Sequence, residues 1–255
     1  MKSVFRIVLC MLIIFMTSVT AFADMCVPIL LYHCVVEELA EEDDPRMIVT
    51  ADRFSEHMQA LKDHGYDTIT YNQYMDYVKK GTPLPPKPII INFDDGYENN
   101  YTYAYPILRE MNMKATIFTM AGYVGATTTK YPHFTWEQAL EMEHSGVIDI
   151  QSHTMTHPMM SELSYEETLR EMRMSKYLIE KNMDKECKYM AYPFGVHNKW
   201  TDNLGAAAGY ELMCVVGDNG ANGKDSDLYA IRRLTVSQDM DADSFIKYIE
   251  ENTGM

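Results

Sequence analysis

The feature that most constrains the fold is a regular alternation of short apolar segments with stretches of helical periodicity. The apolar segments are residues 27–32, 68–71, 88–93, 115–120, 147–151, 189–192, 212–216 and 231–236. Nearly continuous apolar strands separated by helices are typical of an α/β fold with a parallel sheet covered by helices. We predict that this sheet closes into a barrel. An open dinucleotide-binding sheet is not favoured, because no Gly-x-Gly-x-x-Gly follows the first segment, and no nucleotide is expected as a partner.

Local signals predict where several helices begin and end. Ser164 and Glu167 form a capping box, which opens a helix that runs to about Lys181. Residues 198–208 are rich in alanine and are followed by Gly209, a typical C-terminal cap. These helices lie between predicted strands, as the alternating pattern requires.

Residues 1–23 have the pattern of a secretory signal. Two basic residues precede an apolar run at 7–15, and an Ala-x-Ala cleavage motif occupies 21–23. The run is shorter than the roughly 20 residues that a membrane-spanning helix needs. We therefore predict cleavage and a secreted mature domain of residues 24–255. A retained signal would instead anchor the protein to a membrane.

The charge of the chain excludes some classes of partner. The sequence has 37 acidic and 22 basic residues, which gives a net charge of -15. Nucleic acid and anionic membrane surfaces repel a strongly negative protein. We therefore expect neither of them as a partner.

The pairing of the four cysteines in the predicted mature domain is open. They are Cys26, Cys34, Cys187 and Cys214. Cys26 and Cys34 flank one predicted strand, so an extended backbone holds them too far apart for a disulfide. Cys26 and Cys187 both precede strands and are the more plausible pair. Four unpaired buried thiols fit the sequence equally well.

Reactive side chains occur where the predicted strands end. Asp94 and Asp95 follow the strand 88–93 and precede a glycine. Sites of parallel β/α folds form at the carboxyl ends of the strands. Because neighbouring side chains diverge, one carboxylate can bind a metal while the other faces a substrate as a base. Taken alone, two acids at a turn also suit a surface loop.

Two histidines follow the strand 147–151. His153 and His157 are four residues apart, so a helical turn would place both imidazoles on one face, where they can share a metal. With Asp95 they make a His-His-Asp set. Three protein ligands with an open position are what a catalytic zinc-type site requires.

Two further strand ends carry weaker signals. Tyr192, Pro193 and Phe194 precede Gly195, and a simple Pro-Gly turn explains them. The functional alternative is a backbone N–H near Phe194 that is directed at a developing oxyanion. His33 ends the first strand, where a single histidine is often structural.

These motifs together resemble those of the polysaccharide deacetylases with a NodB-homology domain, carbohydrate esterase family four. Residues 92–96, Asn-Phe-Asp-Asp-Gly, resemble the family's T-F-D-D-G motif with Asn in place of Thr. Residues 153–157 match H-[ST]-x-x-H, and residues 192–195 are similar to R-x-P-Y-G. The resemblance covers about residues 28–236.

The resemblance implies a fold, a cofactor and a reaction. The implied fold is a distorted (β/α)7 barrel. The implied cofactor is one divalent metal on Asp95, His153 and His157, zinc in the first place and cobalt or nickel otherwise, with Asp94 as the base that activates water. The implied reaction is hydrolysis of an acetyl group of a polysaccharide, usually the N-acetyl group of a glucosamine unit.

The sequence departs from the family pattern at two places. Ala191 stands where the third motif's Arg is expected, and the late Leu-x-x-His that supplies a catalytic acid is not found. His33 looks like the early strand-end His that takes the acid role in the branch acting on poly-N-acetylglucosamine. For the missing cation, we predict that Arg233 points inward and reaches Asp94, while Arg232 points outward. The alternative is that both arginines lie on a solvated edge.

Two other functions remain compatible with the motifs. O-deacetylation of xylan uses the same residues. A catalytically inactive barrel that only binds a glycan is the second alternative, although it would be expected to lack Asp94 or a metal ligand, and none is missing.

Overall fold

The structure is a computed structural model that describes residues 25–217 and 220–254, so the predicted signal lies outside the described residues. The strands are β1 (Ile29–Tyr32), β2 (Cys34–Val36), β3 (Ile48–Thr50), β4 (Asp67–Thr68), β5 (Pro88–Phe93), β6 (Ala115–Thr119), β7 (Ile148–Ser152), β8 (Tyr189–Ala191), β9 (Leu212–Val216) and β10 (Ile231–Thr235). The helices are α1 (Ala51–Asp63), α2 (Tyr71–Lys80), α3 (Tyr105–Glu110), α4 (Trp136–His144), α5 (Tyr165–Met183), α6 (Lys199–Ala208) and α7 (Ala242–Thr253). Within these two ranges, none of the helices has the length and apolar content needed to cross a membrane.

Seven parallel strands form a closed barrel. Their order around the ring is β1, β10, β9, β8, β7, β6 and β5, and pairing of β5 with β1 closes it. β4 pairs with the first residues of β5 outside this ring, and β2 and β3 form a separate two-stranded sheet. The predicted distorted (β/α)7 barrel is confirmed. Because all seven strands are parallel, their carboxyl ends meet at one rim.

Alternation along the strands divides the core into two apolar layers. Ile90 and Phe118 pack with Tyr71 of α2 in one cluster, which fills the barrel interior. Ile89 and Ile91, the neighbours of Ile90, pack in the cluster formed with the surrounding helices. Side chains of successive strand residues point to opposite faces. The strands are thus buried on both sides, which fixes the positions of the polar residues that follow them.

The predicted strand at 68–71 is wrong after its first residue. The strand ends at Thr68, and α2 begins at Tyr71. The Thr70 hydroxyl accepts a hydrogen bond from the Gln73 N–H, and the Gln73 side chain accepts one from the Thr70 N–H. This capping box starts a helix despite the β-branched and aromatic residues around it. The Tyr71 side chain enters the barrel and donates to Asn92 Oδ1 at 2.7 Å.

The elements that were not predicted include β2, β3 and α7. The connection between β2 and β3 carries residues 37–44, six of which are acidic, and this composition by itself favours a solvated loop. One member of this loop is anchored instead, because the Asp43 carboxylate accepts hydrogen bonds from Tyr131 Oη at 2.7 Å and from Lys130 Nζ at 2.8 Å. The loop is thereby fixed against the segment that follows β6.

The four cysteines are unpaired thiols. Cys187 and Cys214 are completely buried, and burial raises the pKa of each to about 12. A Cys26–Cys187 disulfide is therefore not present, and the alternative of four unpaired thiols describes the structure.

Candidate active site

The residues that end the barrel strands line one cavity at the carboxyl rim. Its volume is about 730 Å³. The predicted site residues in its wall are His33, Asp94, Asp95, His153, His157, Tyr192 and Phe194. Two further predicted site residues, Arg233 and Pro193, are buried. Residues far apart in the sequence therefore meet because parallel strands deliver them to one edge.

Asp95, His153 and His157 form a group that can hold a metal ion, and it is the one such group found among the described residues. Their ligand atoms lie within 4.8 Å of one another. Asp95 Oδ1 is 3.5 Å from His153 Nε2 and 3.6 Å from His157 Nε2. Two ligands that each lie about 2.1 Å from a tetrahedral ion are roughly 3.4 Å apart. One carboxylate and two imidazoles at these separations fit a divalent metal.

The surroundings of both histidines favour their role as metal ligands. The His153 Nδ1–H donates to the Ala191 carbonyl oxygen at 2.8 Å. Because a carbonyl oxygen only accepts, Nδ1 is the donor, and Nε2 is the ring nitrogen left to face the metal group. Burial and the neighbouring His153 lower the pKa of His157, which favours its neutral form.

The backbone between the two histidines is not helical, so a helical turn is not what brings the two imidazoles together. Thr154 and His157 have positive φ values of 66° and 59°. His157 precedes Pro158, and a residue before proline is disfavoured in the right-handed helical region. The His157 N–H donates to Thr154 Oγ1 at 3.1 Å, and the two imidazole centroids are 4.8 Å apart. The pair is thus assembled by a tight left-handed turn.

Left-handed backbone is concentrated at this site. Of the six described non-glycine residues with positive φ, four belong to it, namely Asp95, Thr154, His157 and Phe194. Such conformations cost about 1–3 kcal/mol each and persist only where the surrounding structure imposes them. The geometry of this rim therefore lowers the stability of the fold.

Asp94 is paired with Arg233. The two guanidinium nitrogens donate to the two carboxylate oxygens at 2.6 and 2.8 Å, and Arg233 Nε donates to the Val215 carbonyl oxygen at 3.2 Å. Burial alone would raise the pKa of Asp94, but the positive charge of Arg233 and its hydrogen bonds outweigh burial and lower the pKa to about 2. Arg233 is completely buried, whereas Arg232 on the same strand is exposed.

His33 lies directly after β1 and borders the same cavity. Burial lowers the pKa of its imidazole, although the negative charges of Asp94 and Asp95 oppose this shift. Its Nδ1 is buried and has no hydrogen-bond partner within the described part of the chain. His33 is therefore an imidazole close to the two carboxylates that is not part of the metal group.

The third motif forms a tight turn at Pro193–Gly195. Phe194 has a φ of 60° and is 58% exposed, and its ring lies edge-on to His157 with a centroid distance of 4.6 Å. The Tyr192 hydroxyl donates to Asp202 Oδ1 at 3.0 Å, so its side chain fastens the turn to α6. Gly195 is required because a Cβ there would lie 2.6 Å from the backbone nitrogen of Val216.

Comparison with known proteins assigns the chain to a family. The sequence profile described as Polysaccharide deacetylase matches residues 81–213. YxkH of Bacillus subtilis, whose name places it among the polysaccharide deacetylases, is 34% identical over 223 residues, which are 88% of this chain and 76% of that protein. The chain belongs to the polysaccharide deacetylase family. It is therefore a deacetylase of the hydrolase class.

Two further relatives of this polysaccharide deacetylase are informative. The poly-beta-1,6-N-acetyl-D-glucosamine N-deacetylase of Staphylococcus epidermidis is 28% identical over 204 residues, which are 75% of this chain and 68% of that protein. Among solved structures, the Streptococcus pyogenes deacetylase PplD in complex with acetate superposes with a TM-score of 0.81 at 25% identity and covers 89% of this chain and 100% of its own. The architecture thus agrees over nearly the whole described chain.

This polysaccharide deacetylase departs from the family motif at Ala191, and the structure shows what occupies the region. The Ala191 carbonyl oxygen accepts from His153, and the cation beside Asp94 comes from Arg233 on β10. The guanidinium thus reaches Asp94 from another strand.

Sequence reasoning missed several residues of the site. Asp44, Met47, Asp239 and Met240 line the cavity, although they lie on loops and carry no motif. His133 was also not predicted as a site residue. Its Nδ1 lies 3.2 Å from the carbonyl oxygen of Asp95, to which it can donate a hydrogen bond. The one local signal was the acidic run at residues 37–44, which includes Asp44 and by itself indicates a solvated loop.

Proposed function

We propose that this deacetylase is a metal-dependent N-deacetylase that acts on a polymer of N-acetylglucosamine outside the cytoplasm. The observation that carries the proposal is the assembly of Asp95, His153 and His157 next to a carboxylate, Asp94, that Arg233 keeps ionised. This combination supplies a metal position and a base in one cavity. The predicted signal at residues 1–23 supports export.

Asp95, His153 and His157 would hold the metal, with zinc as our first choice and cobalt or nickel as alternatives. A divalent metal in such a site polarises a carbonyl oxygen and makes water a better nucleophile at neutral pH. The two oxygens of Asp94 are oriented by Arg233, and Asp94 Oδ2 lies 3.8 Å from His153 Nε2, beside the metal group. This position supports the proposal that Asp94 accepts a proton from a water that attacks the acetyl carbon.

His33 is proposed as the acid of the second half-reaction. When the tetrahedral intermediate collapses, the leaving amine needs a proton, because an amide anion is a very poor leaving group. The imidazole of His33 lies in the same cavity as Asp94 and outside the metal group. The backbone N–H of Phe194 is proposed to donate to the developing oxyanion.

A polymeric substrate is supported by the shape of the site. A second cavity of about 490 Å³ adjoins the first, and the two share Asp44, Met47 and His157 in their walls. Its walls include Tyr97, Tyr123 and Tyr131, and tyrosine rings offer an apolar face together with a hydroxyl. Adjoining cavities on two sides of a metal ligand suit several linked sugar units. The relative from Staphylococcus epidermidis, named for its action on poly-beta-1,6-N-acetyl-D-glucosamine, supports the same substrate class.

Acetate release from a panel of polymers tests the proposed substrate. We expect the highest rate with poly-N-acetylglucosamine, and lower rates with chitin oligomers and peptidoglycan. Each acetate should appear with one new free amine, because an amide is hydrolysed. A clear preference for acetylxylan, with acetate but no amine, would favour an O-acetyl esterase. An inactive glycan-binding barrel would release acetate from none of the polymers.

Replacing His33 with Ala should affect amide and ester substrates differently. We expect turnover on an N-acetylated oligomer to fall by about 10²-fold, a typical contribution of general acid catalysis. Turnover on an activated aryl acetate should fall much less, because its leaving group needs no proton. Zinc content, measured in parallel, should stay at the wild-type level. Equal losses on both substrates would count against His33 as the acid.

Replacing Arg233 with Met should move the acid limb of the pH–rate profile to higher pH. The Arg233 charge holds the pKa of Asp94 down, so its removal raises that pKa by about 1–3 units, and Asp94 then ionises only at higher pH. Exposed Arg232 offers a matched control on the same strand, and Arg232→Ala should leave the profile unchanged. Identical profiles for both variants would show that the pairing with Asp94 does not tune the reaction.

A further inference from the structure

A carboxylate on α5 binds the backbone of the segment 153–157 that carries two of the proposed metal ligands. Glu171 Oε2 accepts hydrogen bonds from the Met155 N–H at 3.0 Å and from the Thr156 N–H at 2.8 Å. Glu171 Oε1 accepts a third from Thr156 Oγ1 at 2.9 Å. The side chain is half-buried between the helix and this segment. All three contacts fall between His153 and His157.

The segment needs such support because its own backbone forms no regular structure. Thr154 and His157 are both left-handed, so the N–H groups between them cannot enter a helical hydrogen-bond ladder. The opposite side of the segment is held by the chain after β6, where the N–H groups of Ala121 and Gly122 donate to the carbonyl oxygens of Thr154 and Met155 at 3.1 and 2.9 Å. Glu171 accepts hydrogen bonds from the N–H groups on the other side of the segment. We refer to these contacts on the two sides together as the clamp.

The two histidines depend on this clamp to different degrees. His153 is fixed by its own bonds, since its N–H donates to the Thr119 carbonyl oxygen and its ring donates to Ala191, each at 2.8 Å. Among the described residues, the one hydrogen bond found for the His157 backbone runs from its N–H to Thr154 Oγ1, within the same segment. Loss of the clamp would therefore displace His157 and leave the other two ligands in place.

We propose that Glu171 is a positioning residue that holds His157 in its metal-binding geometry. The proposal rests on the proposed metal site and adds a residue that does not touch the metal. Groups that orient metal ligands typically contribute 10- to 100-fold to metal affinity. We therefore expect a weakened metal site, not a changed reaction, when Glu171 is removed.

The chemistry of the contacts predicts which substitutions are tolerated. The Gln side chain has the shape of Glu, and its single carbonyl oxygen can accept from both backbone N–H groups. Its NH2 group can donate to Thr156 Oγ1, because a hydroxyl also accepts. Asp is one carbon–carbon bond shorter, by about 1.5 Å, and cannot reach the segment. Glu171→Gln should thus preserve the clamp, whereas Glu171→Asp and Glu171→Ala should break it.

Zinc affinity measured by competition with a chromophoric chelator tests the proposal on the full mature chain. We expect the zinc Kd to rise by about 10- to 100-fold for Glu171→Ala and Glu171→Asp, and to stay close to wild type for Glu171→Gln. Glu166, an exposed acid on the same helix, provides the matched control, and Glu166→Ala should bind zinc as the wild type does. Acetate release by Glu171→Ala should recover when free zinc is raised by the same factor.

Three results would overturn the inference. Wild-type zinc affinity in both Glu171→Ala and Glu171→Asp would show that the clamp is unnecessary. A zinc Kd for Glu171→Gln as high as that of Glu171→Asp would show that charge acts instead of hydrogen-bond acceptance. Activity of Glu171→Ala that stays low at saturating zinc would assign Glu171 another role. If Glu171→Ala does not fold, the comparison of Gln with Asp decides.

The same titration separates this inference from the proposed function. If wild type and His153→Ala bind zinc equally weakly, the proposed metal site itself is wrong. If wild type binds zinc tightly, His153→Ala does not, and the Glu171 variants match wild type, only the role of Glu171 is wrong.

Discussion

Replacing Asp94 with Asn is expected to lower kcat by about 10²- to 10⁴-fold while zinc remains bound. The amide keeps the size of the carboxylate but cannot accept a proton, and general base catalysis contributes a factor of this size. The metal group consists of Asp95, His153 and His157, so the substitution removes no proposed ligand. Rates of acetate release at saturating substrate, together with zinc content by elemental analysis, measure both parts of the prediction.

The Asp94 variant needs a control for stability, because it leaves a charged Arg233 buried without its partner. Breaking a buried ion pair in this way destabilises a protein by about 3–5 kcal/mol. The double variant Asp94→Asn with Arg233→Met removes the orphaned charge and should recover part of the free energy of unfolding. It should not recover activity. A single variant that turns over at nearly the wild-type rate would show that Asp94 is only a turn residue.

Replacing His153 with Ala is expected to abolish zinc binding and with it acetate release. His153 is buried, its Nδ1–H is committed to Ala191, and its Nε2 is directed at Asp95. Two remaining ligands hold a divalent metal poorly, since catalytic sites normally use three protein ligands. His144 is an exposed histidine on α4, and His144→Ala should keep both zinc and activity. Zinc stoichiometry after dialysis gives the comparison.

A His153→Ala protein that retains stoichiometric zinc would place the metal elsewhere. Activity retained without zinc would contradict metal dependence itself. Unfolding curves of the metal-free variant and the metal-free wild type measure how much stability is lost with this buried ring and its hydrogen bond to Ala191.

The strand pattern of the barrel was predictable because each strand is buried on both sides. The predicted strands 88–93 and 212–216 agree with β5 and β9 at both ends. The prediction of a strand at 68–71 failed because Thr70 and Gln73 cap a helix. In so short a segment this local contact determines the secondary structure, and apolar content alone does not. The three-residue strands β2 and β3 are too short for any periodicity to reveal.

The candidate site could be predicted where chemistry coincides with a strand end. Asp94, Asp95, His33 and His153 each follow a barrel strand, so parallel topology alone brings them together. Alternation along β10 predicted that one of two neighbouring arginines points inward, and in the structure it is Arg233 that is buried. These inferences need only the strand register and the carboxyl rim.

Other parts of the site leave no local trace in the sequence. Glu171 lies in the middle of a helix among other acids, and only the tertiary structure shows that it binds the loop of another element. Met47 and Met240 belong to two loops joined through Gln238, whose N–H donates to the Pro45 carbonyl oxygen at 2.7 Å. Such contacts depend on how loops pack, which residue types and spacing do not encode.

Metal removal and restoration tests the central claim most directly. Acetate and free amine released from poly-N-acetylglucosamine should be measured for the mature chain as purified, after thorough removal of metal, and after addition of zinc, cobalt or nickel. We predict equal amounts of acetate and amine from the metal-loaded protein, loss of both on removal, and recovery with at least one of the three metals. Undiminished release from the metal-free protein would contradict the proposed site.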